Sequence, residues 1–124
     1  MHDTAAVALA IFLVLVGISH FLFPGYFRTL VPSWLGGWAG TLVAGSGVAE
    51  VVVGGLVLVP GSRAAGGWAA AALITAYLAS HLDALRHARR DRPRLLERPV
   101  GVVARLAVNV LYIGWAAAVA LTAA

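Results

Sequence analysis

Of the 124 residues, 61% are apolar and 11% charged, against about 45–50% and about 25% in an ordinary soluble domain. Nine arginines and five acids cannot cover the surface of so small a domain, which argues against a water-soluble monomer and excludes a disordered chain. With no cysteine, a disulfide framework, a thiolate metal site and dithiol redox chemistry are excluded as well.

Four apolar stretches follow one another, at about residues 4–23, 39–60, 66–87 and 100–122. Each has the ~20 residues that a helix needs to cross a ~30 Å hydrocarbon core. Pro24-Gly25, Pro60-Gly61 and the Pro93/Pro99 pair punctuate them, as turn residues do between elements. The expected fold is all-α: a single domain over residues 1–124, built as a four-helix transmembrane bundle.

The first stretch lacks a basic leader and a small-residue cleavage site, so it is expected to stay as a helix rather than be removed as a signal peptide. In the connection that follows, Phe27, Leu30, Val31, Trp34 and Leu35 recur at helical spacing, with Pro32 interrupting. That segment reads either as an interfacial anchor, with Trp34 and Trp38 at headgroup depth, or as a lid over a lateral pocket. The second stretch carries Gly45, Ser46, Gly47, Ala49, Gly54 and Gly55, small residues that let helix backbones approach. Near the end of the third lie Ser80, His81 and Asp83, with His87 spaced i,i+4 from Asp83 as a surface pair.

Six of the nine arginines (Arg86, Arg89, Arg90, Arg92, Arg94 and Arg98) crowd the connection at residues 86–99. Arg28 lies in the first connection and only Arg63 in the second. The positive-inside rule then puts loops 24–38 and 86–99 in the cytoplasm and both termini outside, in a bacterial-type inner membrane. The basic loop serves as a topology signal and a contact for anionic headgroups. No folded reader or interleaved aromatics accompany the charge, so no nucleic acid is expected.

Polar residues inside the apolar stretches are costly and normally face the interior with partners. Counted at about 1.5 Å per residue from the proposed cytoplasmic ends, His20 lies about 5 Å deep, Arg105 about 8 Å, His81 about 9 Å, Asn109 about 14 Å and Glu50 about 16 Å. All five occupy one half of the membrane, which points to a polar pocket open toward the cytoplasmic interface. Glu50 and Arg105 are expected to pair. Their pair reads either as a buried ion pair setting helix register or as a proton-handling or substrate-orienting carboxylate tuned by Arg105. His20 and His81 read as interfacial hydrogen-bonding residues or as paired axial ligands of a haem, and His20 also as a proton carrier with Glu50 or a hydrogen-bond donor to a quinone-like carbonyl. No c-type haem attachment motif and no metal-ligand cluster is present, and no intrinsic cofactor is expected.

Gly17-Ile18-Ser19-His20-Phe21, followed by Pro24, Phe27 and Val31-Pro32, resembles the pattern G-x-x-H-F-x-x-P-x-x-F-x-x-x-V-P of DoxX-like small membrane proteins. Ser46-Gly47-Val48-Ala49-Glu50 with Gly54 and Pro60, and Arg105-Leu106 with Asn109 and Trp115, are similar to that family's second-helix and fourth-helix segments. Leu78-Ala79-Ser80 stands where the family often has Pro-Ala-Asn, Asn109 replaces its usual Gln, and Ala107 its usual Pro. The resemblance implies a four-helix bundle with His20, Glu50, Arg105 and Asn109 as shared polar positions. It also implies association with membrane redox systems that use quinones.

The leading expectation is therefore a membrane protein that binds a lipophilic, quinone-like small molecule as an accessory subunit of a redox complex. His20 and Asn109 would hold the ligand head, and Glu50 and Arg105 would set charge and proton supply, with Ser80 and His81 as further candidates. Two other readings stand beside it: a structural or assembly protein whose buried network sets packing, and a membrane-embedded acid–base enzyme acting on a lipid.

Overall fold

The computed structural model describes residues 2–123. Four long helical units run alternately up and down. The first is α1 (His2–Leu22) and the second is α3 (Ala39–Leu58). The third is α4 (Arg63–Ala76) continued by α5 (Leu78–Arg86), and the fourth is α6 (Pro99–Ala123). A short α2 (Pro24–Arg28) and a 3₁₀ turn (Ser33–Trp38) fill the first connection. Further 3₁₀ turns occupy Pro60–Ser62 and Leu95–Glu97, and no strand occurs among the described residues. All four units are long and apolar enough to cross a membrane. Neighbours close a ring: α1 packs on α3 and α6, and α4 packs on α3 and α6.

The core is built from small side chains. Ala6, Ala10, Ala70 and Ala116 pack with Leu9, Leu13 and Val57 inside, while Leu111 is 71% and Val100 68% exposed on the outer faces. That distribution is compatible with hydrocarbon surroundings, in which exposed apolar side chains are solvated and close backbone approach is the means of helix association. The backbones of α1 and α3 approach closely. A Cβ on Gly17 would stand 2.8 Å from the Gly47 carbonyl oxygen, and one on Gly47 would stand 2.9 Å from the Cβ of His20.

At the end opposite the basic loop, Arg63 closes the bundle. Its Nε and Nη2 donate to the Val57 and Leu58 carbonyls at 2.9 and 3.1 Å, and Nη1 bonds Asp3 at 2.7 Å. A cation there satisfies the orphan carbonyls of the α3 C-terminus and suits the helix dipole.

The third unit departs from the continuous helix expected over residues 66–87. The hydrogen-bond ladder stops with Tyr77 N–H on the Leu73 carbonyl and resumes with His81 N–H on the Tyr77 carbonyl. The Ile74 carbonyl instead accepts the side-chain amide of Asn109 at 3.2 Å. The Thr75 hydroxyl bonds back to the Ala71 carbonyl at 2.6 Å, an interaction that bends helices. The break is thus a substitution of partners, with the freed carbonyl satisfied from α6.

Candidate functional site

Two polar clusters lie toward the arginine-rich end, at different depths. The deeper one is built around Glu50, which is only 3% exposed on α3. His20, from the last turn of α1, places Nδ1 3.4 Å from Glu50 Oε2 and 2.7 Å from the Val16 carbonyl oxygen. A carbonyl only accepts, so Nδ1 carries a hydrogen and donates to Val16. Phe27 of α2 stacks on the imidazole, with ring centroids 3.9 Å apart. Tyr77, at the break of the third unit, brings its hydroxyl beside Glu50 and Ser46. Glu50 Oε2 and the Tyr77 hydroxyl are buried without a hydrogen-bond partner among the described residues.

The shallower cluster is centred on Arg105. Its Nε donates to His81 Nδ1 at 3.3 Å and its Nη1 to the Leu96 carbonyl at 3.2 Å. Its Nη2 is buried and unpartnered among the described residues. Asn109, one turn deeper on α6, donates to the Ile74 carbonyl and lies beside His81. Beside Arg105 opens a cavity of about 480 Å³ between the first and third connections, lined by residues that include Tyr26, Leu30, Ser80, Arg94 and Leu96. The cavity walls are pinned to each other. Asp83 on α5 accepts the Ser33 backbone N–H at 2.9 Å and its hydroxyl at 3.2 Å, and the Ser80 hydroxyl donates to the Leu30 carbonyl.

The expected ion pair between Glu50 and Arg105 is not formed. Arg105 leaves α6 in its second turn, and the Leu96 carbonyl and His81 draw the guanidinium toward the connection. Glu50 lies about one and a half helical turns deeper by residue count and meets His20 instead. The single pocket expected for all five polar residues also divides. Arg105 and Ser80 line the cavity; His20, Glu50, His81 and Asn109 do not. His20 and His81 belong to separate clusters, and the His81 Nδ1 lone pair is taken by Arg105, so the two rings do not form a haem axial pair. Asp83 and His87 do meet, at 3.7 Å, but the stronger bonds of Asp83 go to Ser33.

Sequence reasoning missed Tyr77 and the Ser33–Asp83 tie, and read Ser46 only as a small packing residue. Tyr77 was accessible to the same rule that picked out Glu50, as a hydroxyl inside an apolar stretch, three residues before Ser80. The Leu30 and Leu96 carbonyls carry no residue-type signal and become visible only in three dimensions.

Residues 9–120 match the family described as a domain of unknown function, DUF8561. The chain belongs to that family. No curated protein and no solved structure matches it.

Proposed function

We propose that this chain is a four-span protein of the cell membrane that binds an amphiphilic small molecule, its polar head seated in the cavity beside Arg105. The first and third connections then face the cytoplasm, since eight of the nine arginines lie at that end. The observation that carries the reading is the cavity of about 480 Å³, with an arginine in its wall and apolar side chains (Leu30, Leu95 and Leu96) around it. Such a space is within the range of small-molecule sites, which combine apolar walls with few polar groups. A quinone-like head, as the DoxX-like resemblance implies, meets donors in the Arg105 guanidinium. The accessory role in a redox complex rests on that resemblance alone. The reading is tested by mass spectrometry of organic extracts from protein purified in a neutral detergent. An amphiphile retained by the wild type and lost when Ala84, in the cavity wall, is replaced by Trp supports it. Equal retention in both removes it.

A second reading is favoured by the deeper cluster. His20 and Glu50 sit where Gly17 and Gly47 bring α1 and α3 together, away from the cavity. Their role is then to fix the register of that crossing, as a buried polar residue does in other helix pairs.

A further inference from the structure

We infer that the cavity beside Arg105 is a site for an anionic phosphate head, so the amphiphile of the preceding section is a phospholipid-like anion rather than a neutral quinone. The inference rests on that reading of the cavity and adds the charge of the ligand.

Three arginines line the space: Arg92, Arg94 and Arg105. Two acids do so as well, Asp83 and Glu97, and they must be weighed. The Asp83 carboxylate is already engaged by the Ser33 N–H and hydroxyl and lies 3.7 Å from His87. Glu97 is close enough for its charge to act on Arg105, yet the two form no salt bridge, and Arg105 Nη1 donates to a neutral carbonyl instead. A guanidinium half removed from water, with one nitrogen unpartnered, needs an anion more than it needs a neutral carbonyl. Arg94 is exposed at the rim and donates no side-chain hydrogen bond among the described residues. The surrounding field has the same sign, because Arg28, Arg86 and Arg90 belong to this end too.

Charge alone would also fit a soluble anion. The apolar side of the cavity argues for an attached chain: Leu30, Val31, Leu95 and Leu96 line it, and Leu95 is 60% exposed. An acyl chain leaving the head would run along those residues toward the outer faces of the bundle. Arginine suits this task because its planar fork meets two phosphate oxygens at once.

The test is thermal stabilisation of the whole protein, purified in a neutral maltoside. It is titrated with short-chain phosphatidylglycerol, phosphatidylcholine of the same chain length, inorganic phosphate, and a short-chain benzoquinone. The expected result is half-saturation by phosphatidylglycerol at least tenfold below that by phosphatidylcholine. Arg94→Gln should reduce this preference to threefold or less, while Arg86→Gln, outside the cavity, leaves it unchanged. Arg105→Gln should abolish it and Arg105→Lys restore part of it. Should Arg105→Gln fail to fold, Arg94→Gln and Arg105→Lys still decide the matter.

Equal stabilisation by both lipids, or a preference for the quinone, overturns the anionic head and leaves the amphiphile reading standing. Stabilisation by inorganic phosphate as strong as by phosphatidylglycerol keeps the anion but overturns the lipid source. No response to any of the four overturns both readings.

Discussion

The α1–α3 crossing makes two glycines of one neighbourhood behave oppositely. A methyl group on Gly17 would stand 2.8 Å from the Gly47 carbonyl oxygen, 2.8 Å from Val51 Cγ2 and 3.1 Å from Glu50 Cβ. The first of these is backbone and cannot rotate away, so the helices must separate by several tenths of an ångström. Overpacking of this kind costs about 1–3 kcal/mol. Separation also lengthens the His20–Glu50 contact, which is 3.4 Å at the outset. Gly45, on α3, has nothing within 4 Å of its would-be Cβ, and alanine there gains up to about 1 kcal/mol of helix propensity. Gly17→Ala should therefore destabilise by about 1–3 kcal/mol and Gly45→Ala should be neutral or stabilising by up to about 1 kcal/mol. Unfolding by sodium dodecyl sulfate in mixed micelles, followed by the emission of the four tryptophans, reads both. Gly17→Ala as stable as the parent, or Gly45→Ala equally damaged, would refute the close crossing.

Because Glu50 and Arg105 belong to different clusters, Glu50→Gln and Arg105→Gln should be additive within about 0.5 kcal/mol in a double-mutant cycle, while Glu50→Gln with His20→Ala should couple by more than that. The reverse ranking would show that the long-range ion pair forms after all. Asn109→Leu strands the Ile74 carbonyl that it serves at 3.2 Å, and a loss of about 1–3 kcal/mol is expected in the same unfolding assay. A loss below about 0.5 kcal/mol would mean that the carbonyl finds another partner. For orientation, the cysteine-free chain permits single cysteines at Arg90 and at Gly61. In intact cells a membrane-impermeant maleimide should label Gly61→Cys and spare Arg90→Cys. The opposite pattern would invert the proposed topology.

Much of the architecture is written locally and could be read from the residues. Helix-length apolar runs set the four units, and Pro24, Pro60 and Pro99 each open an element, where a missing N–H costs nothing. The break at Tyr77 escaped because no glycine or proline marks it. The amide that serves the freed Ile74 carbonyl comes from a residue 35 positions beyond it. The candidate site was legible in its membership but not in its pairing. His20, Glu50, Arg105 and Asn109 were identifiable as polar groups inside apolar runs, yet charge complementarity assigned Glu50 to Arg105. The helices placed His20 closer, and two main-chain features, the Leu96 carbonyl and the turn at Leu95–Glu97, claimed the arginine.

The bond from Asn109 to Ile74 bears on how the chain is made. The third unit is the least apolar of the four candidate spans, and on its own it would carry an unserved carbonyl at Ile74 into the lipid. The partner of that carbonyl is not synthesised until α6 emerges. On the proposed topology, the third unit has its full complement of bonds only with the fourth beside it, so the last two spans should enter as a hairpin rather than in turn. A nascent chain halted before Asn109 would then hold α1 and α3 in the membrane and leave residues 63–86 at its surface.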